Sequence, residues 1–228
     1  MPRLSPFPSP LLKGVLIRRY KRFMADVRLS DGALATVHCP NPGSMLGLGR
    51  PGSAVLLSRS GNPARKLPLT WELVRVGRTW VCINTQVANR VVAHWLETGR
   101  VANLDGIVRR EFSVAGSRFD FLVGDRCIVE VKSVTLRLGS QGAFPDSVTE
   151  RGRRHLETLA GLRDYRRVLL YFVARSDVDS VRSADEIDGR YADALREAVR
   201  GGVEVLAVRA GFGPSGQVRR GPLLDVIV

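Results

Sequence analysis

Residues 117–134 read SRFDFLVGDRCIVEVKSV, and the folding of this stretch decides what surrounds it. Ile128, Val129, Val131 and Val134 are β-branched and apolar, so the second half reads as a strand covered by other elements. That strand nevertheless carries Glu130 and Lys132, whose charges are costly to bury unless paired or put to use. The lysine is unusual in itself, since the chain has 31 arginines and only four lysines. Gly124-Asp125-Arg126 supplies a turn, which makes the strand SRFDFLVG (117–124) the antiparallel partner of RCIVEVKSV (126–134). Alternation puts Glu130 and Lys132 on one face with α-carbons about 7 Å apart. It also groups Phe119, Phe121 and Val123 on one face and leaves Asp120 on the other. Asp120 and Glu130 then lie near each other. Two converging carboxylates repel unless a cation sits between them, and hard oxygen ligands with open positions suit Mg²⁺ or Mn²⁺. A lysine beside them can orient an attacking water or neutralise charge on a phosphate. An acid two residues before a lysine is weak by itself, with about 0.4 such matches expected by chance, and an ion pair at a sheet edge explains it as well. The apolar strand, the acid ten residues upstream and the order of elements around them point to a metal-dependent phosphodiester-cleaving site.

Working outward, VANRVVAHWLE (87–97) has Val87, Val91, Val92, Trp95 and Leu96 at helical spacing, with Asn84 or Thr85 as N-cap and Gly99 as stop. A strand around REFSVAG (110–116) precedes the hairpin. After it come a Gly-containing loop through Pro145 and a helix opened by Ser147-Val148-Thr149-Glu150, a capping-box pattern. RRVLLYFVA (166–174) reads as a strand, 188–200 as a helix and VEVLAVR (203–209) as a strand. The order α-β-β-β-α-β predicts helices flanking a mixed sheet.

Before Asn84 the texture changes. GVLIRRYKRFMADVRL (14–29) reads as one long strand ended by the Ser30-Asp31-Gly32 turn. ALATVHC (33–39), SAVLLS (53–58), WELVRV (71–76) and TWVCIN (79–84) follow. Five strands without a helix predict a small closed barrel of the OB type. The chain therefore divides into a barrel over 1–85 and a second, α/β domain over 86–228. Residues 1–90 carry 14 Lys+Arg against 3 Asp+Glu, whereas residues 91–228 carry 21 against 19. Most of the net charge of +13 thus sits on the barrel, the footprint of a polyanion-binding module with nucleic acid the commonest partner. Arg18, Arg19, Tyr20, Lys21, Arg22 and Phe23 interleave charge and ring as a nucleic-acid face does. Alternation sends about half of them to each side, and a solvated surface strand accounts for them equally well.

Other classes are set aside. Cys39, Cys82 and Cys127 form no CxxC, and His38, His94 and His155 are far apart, so neither a disulfide framework nor a zinc site is expected. No apolar run approaches the roughly 18 residues of a membrane span, so a cytoplasmic protein without membrane partners is expected. GLGRPG (47–52) and GFGPSG (211–216) match a dinucleotide fingerprint but open no helix, and read as turns.

FDFLVGDRCIVEVK resembles the signature of the PD-(D/E)xK nuclease superfamily, with Phe119 standing where that pattern has proline. KGVLIRRYKRFMAD (13–26), HCPNPGSM (38–45), LPLTWELV (67–74), INTQVANR (83–90), REFSVAGSRFDF (110–121), EVKSVTL (130–136) and FPDSVTERGRRHL (144–156) are similar, in order, to the sugar fermentation stimulation protein A family. The resemblance implies an N-terminal OB-like domain, a restriction-endonuclease-like second domain, DNA binding and a regulatory link to sugar (maltose) utilisation. Carried over by position, Asp120 and Glu130 become metal ligands, the Val131 carbonyl a third, and Lys132 the catalytic lysine. Glu111 is an additional candidate ligand, with a surface pair to Arg109 as its alternative, and Glu97 a poorer one. Arg151 lies at a helix N-terminus suited to phosphate. His155 is read as a packing residue, HCPNPGSM as a rigid turn, and Arg219 and Arg220 as a solvated tail. Two functions follow: a Mg²⁺- or Mn²⁺-dependent nuclease, or a non-catalytic DNA-binding regulator on the same scaffold. The strandedness of the DNA, RNA as an alternative ligand, and a homodimer as the assembly are left open.

Overall fold

The computed structural model describes residues 4–8, 10–101 and 103–228. Its first unit is built from β1 (Leu12–Tyr20), β2 (Met24–Leu29), β3 (Leu34–His38), β4 (Ala54–Arg59) and β5 (Leu69–Val76). These close in the order β1-β2-β3-β5-β4-β1, with one parallel contact, His38 to Thr70, sealing the ring. Leu16, Val27, Val37, Val55, Leu57, Trp71 and Val74 fill the interior. Each buried side chain of this kind contributes roughly 1.5–3 kcal/mol relative to exposure.

The barrel has five strands, but not the five expected. Residues 14–29 are a hairpin rather than one strand, turned at Lys21 and Arg22 with φ of 48° and 62°. Left-handed backbone at two long, charged residues is uncommon, and no Gly, Asn or Pro marks the turn. The Ser30-Asp31-Gly32 turn forms as expected and joins β2 to β3, with Gly32 at φ 88°. The residues expected to supply the fifth barrel strand instead form β6 (Thr79–Cys82), which pairs with β5 and leads out of the barrel.

The second unit comprises α1 (Thr85–Glu97), β7 (Val108–Val114), β8 (Ser117–Val123), β9 (Cys127–Val134), β10 (Leu136–Leu138), β11 (Gln141–Phe144), α2 (Glu150–Gly161), β12 (Arg166–Val173), β13 (Ser180–Ser183), α3 (Gly189–Arg200), β14 (Glu204–Phe212) and β15 (Val218–Ile227). The sheet runs β7-β8-β9-β12-β14-β15-β13-β11-β10, with β9, β12 and β14 parallel at its centre. Helix α1 covers one face over Val129, Val131, Leu170 and Phe172, and α2 and α3 cover the other over Ile128, Val134, Leu169 and Tyr171. Burial on both faces is why β9 reads as a nearly unbroken apolar run. Asn84 caps α1, its side chain accepting from the Gln86 N–H. Helix α2 starts later than the capping box implies, because Thr149 rather than Ser147 accepts from a first-turn N–H, that of Gly152.

Strands β10, β11, β13 and β15 were not expected. Arg219 and Arg220 belong to β15, opposite Gly211 and Ala210, and are not a tail, although both are exposed. Trp80 of β6 pairs with Phe212 of β14, so one hydrogen-bonded sheet runs from barrel to second unit. The chain ahead of β1 also packs on the second unit. Leu4 bridges to Val218, and the Phe7 ring lies 6.1 Å from that of Phe212. Among the described residues no helix is long and apolar enough to cross a membrane.

Candidate functional site

The β8–β9 ladder ends at Phe121 and Val129, and the site begins where the strands part. Beyond that pair the expected alternation fails. Phe121 and Val123 pack towards α1, but Phe119 turns to the α2 side, its ring 5.9 Å from that of His155. On the neighbouring strand Glu111 has φ 53°, a left-handed kink at the same level. The parting leaves the N–H of Val131 without a strand partner, and Asp120 Oδ2 accepts from it at 2.7 Å. Asp120 Oδ1 accepts from Asn89 Nδ2 of α1 at 2.5 Å. Asp120 is thus held between a helix and an open strand edge. Burial, and then the neighbouring Glu130, push its pKa up to about 6 against the opposing pull of the Val131 N–H, Lys132 and Asn89.

Glu130 faces α2 and is 4% exposed. Its Oε1 receives Lys132 Nζ at 2.6 Å and lies 3.1 Å from His155 Nδ1. Its Oε2 is buried, with no hydrogen-bond partner among the described residues. An uncompensated buried carboxylate oxygen is expensive; of the three buried unpartnered side-chain atoms among the described residues, the others being Arg167 Nε and Ser183 Oγ, it alone belongs to an acid. His155, expected only to pack, both packs on Phe119 and reaches Glu130.

Around these groups lies a cavity of about 580 Å³, whose lining includes Asn89, Asp120, Glu130, Lys132, Arg151 and His155. A second cavity, of about 530 Å³, shares Asn89, Val131, Lys132 and Arg151 with it and continues to Arg22 and the Asn41–Gly43 loop of the barrel. The cleft therefore runs between the two units. The HCPNPGSM stretch is more than a turn, since it latches them together. The Ser44 hydroxyl donates to the Asp146 carbonyl, and the Met45 N–H donates to Asp146 Oδ2 at 3.1 Å. A Cβ on Gly43 would run into the Asp146 carboxylate. Arg19 holds the loop from the other side, donating to the carbonyls of Asn41, Gly43 and Ser44 at 2.9–3.2 Å.

The remaining candidates fall in several places. Arg18 pairs with Asp26 at 2.8 Å and lies 4.9 Å from the centre of the Tyr20 ring, whose hydroxyl donates to the same carboxylate. Lys21 sits exposed in the β1–β2 turn, and Arg22 reaches the cleft. Arg151, in the first turn of α2, lines both cavities. Glu111 lines the cleft mouth but is 70% exposed and pairs with Arg118, not Arg109, which pairs with Asp125. Glu97 is bound to Arg110 and lines neither cavity. Val131 takes part through its N–H. Sequence reasoning missed Asn89 and Asp146, whose only signal was a polar residue inside two of the motif stretches.

Comparison with known proteins matches this anatomy. The model of the SfsA N-terminal OB domain matches residues 17–83, and that of the sugar fermentation stimulation protein RE domain matches residues 86–216. The chain is 49% identical over 230 residues to a sugar fermentation stimulation protein homolog of Geobacter metallireducens, covering 97% of this chain and 99% of that one. It is also 49% identical to a homolog of Pelobacter propionicus, covering 96% and 98%. The structure of Pyrococcus furiosus SfsA in complex with Ca²⁺ superposes with a TM-score of 0.89 at 26% identity, covering 97% of this chain and 98% of that one. With both units matched in order along the chain, this protein belongs to the sugar fermentation stimulation protein family.

Proposed function

We propose that the protein binds DNA along the cleft and cleaves its phosphodiester backbone with the help of a divalent cation, Mg²⁺ or Mn²⁺, held at Asp120 and Glu130. One observation carries the reading: Glu130 Oε2 is buried, unpartnered and beside a second carboxylate. Such an oxygen fits a hard cation that accepts oxygen ligands. The Pyrococcus relative, solved in complex with Ca²⁺, supports the same class of ion. Among the described residues no three His, Cys, Asp or Glu side chains group to hold a metal. The donor set would therefore be Asp120, Glu130 and the Val131 carbonyl, completed by water or phosphate oxygens. An ion held there would supply Lewis acidity towards a phosphate oxygen and a water of lowered pKa.

The chain's own groups have separable tasks. Asn89 and the Val131 N–H fix the Asp120 carboxylate. His155 steadies Glu130 Oε1. Lys132 Nζ, 2.6 Å from that oxygen, is placed to neutralise charge growing on the phosphate or to orient the attacking water. Arg22 and Arg151 extend positive charge along the cleft for the phosphates on either side of the bond.

A second reading, a DNA-binding regulator of sugar-utilisation genes that has kept the scaffold without turnover, is favoured by a different observation. Glu130 Oε1 is already ion-paired with Lys132 at 2.6 Å, which partly neutralises the acid without a metal. A Mn²⁺ soak read by anomalous scattering, on wild type and on Glu130→Gln, separates the two when paired with a cleavage screen on single-stranded, duplex and RNA substrates. The cleavage reading expects a peak at Asp120 and Glu130 that the variant loses, together with Mn²⁺-dependent products. No peak and no products, with binding retained, would leave the regulator.

A further inference from the structure

A cavity of about 510 Å³ lies at the seam where β6 joins β14, and none of its lining residues lines the cleft. Lys13, Arg75 and Arg78 surround it together with Trp80, Phe212 and Pro214, and the lining contains no Asp or Glu. Among the described residues none of the three cations has an ion-pair partner. Arg75 Nε donates to the Gly77 carbonyl at 3.1 Å, and its terminal nitrogens make no hydrogen bond among those residues. Three unpaired cations around one hollow repel one another, and an anion entering it relieves that repulsion.

The aromatic part of the lining narrows the class of anion. Trp80 is partly exposed, while Trp71 and Trp95 are 0% and 1% exposed. Trp80 is held on two sides, pairing with Arg75 across the β5–β6 hairpin and with Phe212 of β14. A fixed indole face beside unpaired cations is the combination that receives a base on the ring and its phosphate on the charges. The site is also remote from the basic β1–β2 turn. Lys13 is the second residue of β1 and Tyr20 the last, a separation of about 24 Å along the strand at ~3.4 Å per residue.

We propose that this cavity binds a nucleotide unit, with its base against Trp80 and its phosphate on Lys13, Arg75 and Arg78. The unit is either a free nucleoside phosphate or one residue of a single strand. The site is independent of the cleavage reading, because it shares no side chain with the cleft. Since the other two tryptophans are buried, ligand-induced quenching of intrinsic fluorescence reports on Trp80. The test titrates the full chain, in EDTA at low salt, with thymidine 5′-monophosphate and separately with a short oligothymidylate. Quenching by both identifies a free-nucleotide site, and quenching by the oligomer alone identifies a strand site. Replacing Arg75→Gln and Arg78→Gln together removes two of three phosphate contacts. Counting that phosphate as one neutralised charge with a salt slope of about 0.7, its loss lowers oligomer affinity roughly 5-fold at 0.1 M salt. Glu130→Gln leaves the quenching intact. The proposal is overturned if neither ligand quenches, if the double variant quenches like wild type, or if Glu130→Gln abolishes the signal.

Discussion

The barrel and the cleft each bury one glutamate, and the two are treated differently. Glu72 is 3% exposed and Glu130 is 4% exposed. Glu72 has each oxygen bonded to a neutral donor, Ser58 Oγ at 2.6 Å and Asn84 Nδ2 at 2.7 Å. Burial raises its pKa, and those two bonds only partly oppose the rise. Glu130 has a lysine and a histidine crowded on one oxygen and, among the described residues, nothing on the other. Equal burial therefore carries opposite meaning. Glu72 is a finished structural joint, tying β4 and β5 to Asn84, the residue that caps α1. Glu130 is unfinished, and an unfinished buried acid marks a place where something else binds.

The largest expected effect breaks the joint. Glu72→Ala removes the acceptor for a buried hydroxyl and a buried amide and leaves a cavity, costing about 3–4 kcal/mol. Glu72→Gln, which can accept from Asn84 and donate to Ser58, costs little. Urea denaturation checks both, and a loss below about 1 kcal/mol for the alanine variant would deny Glu72 its role. The cleft acid should respond to ligand instead. Mn²⁺ at about 100 times its Kd raises wild-type stability by about 2.7 kcal/mol. Glu130→Gln loses most of that gain in a thermal melt with and without Mn²⁺, while Glu72→Gln keeps it. Equal Mn²⁺ responses in all three proteins would erase the distinction between the two acids.

Titration sharpens the contrast. An acid with a raised folded pKa binds more protons folded than unfolded, so its contribution is greatest below the ordinary carboxyl range and declines as pH rises through the folded value. For Glu72 that decline begins above about 4.5, with a slope of at most about 1.4 kcal/mol per pH unit. Glu72→Gln should flatten that part of the stability–pH curve. A variant curve parallel to that of wild type would show that Glu72 is not the group titrating. At Asp120, with its pKa pushed up to about 6, the proton competes with the cation. Mn²⁺ affinity should fall about tenfold per pH unit below that value, and affinity unchanged between pH 5 and 7 would remove Asp120 from the donor set.

What the sequence disclosed follows the same division. Local pattern was legible: the 3.6-residue period of α1, the unbroken apolar run of β9, and the two-residue parity placing Glu130 with Lys132. Features set by tertiary contact were not. The turn at Lys21 and Arg22 uses left-handed backbone without glycine, so a hairpin read as one strand. Phe119 lies on the other face where β8 is not yet paired with β9, the pairing starting only at Phe121, an event that alternation has no means of announcing. Asn89, Asp146 and His155 act across 31, 101 and 25 residues of chain, and nothing local distinguishes them from ordinary polar residues.

The smallest expected effect concerns the helix that brings His155 to Glu130. Thr149 and Ser147 both suit an N-cap by type, but Thr149 Oγ1 accepts from the Gly152 N–H at 3.2 Å and also crowds Gly152, where a Cβ would meet that oxygen at 2.7 Å. The Thr149 N–H in turn donates to Asp188 Oδ2 at 2.8 Å, which anchors the cap to the start of α3. Thr149→Ala should cost about 1 kcal/mol, the ordinary loss of a cap, and Ser147→Ala close to nothing. Because α2 carries His155 and Arg151 into the cleft, the Thr149 variant should also weaken Mn²⁺ binding slightly, whereas the barrel joint at Glu72 stays untouched. Equal losses for Ser147→Ala and Thr149→Ala in urea titrations would restore the capping box and move the start of α2. Thr149→Ala at full stability with weakened Mn²⁺ binding would instead assign Thr149 to the site itself.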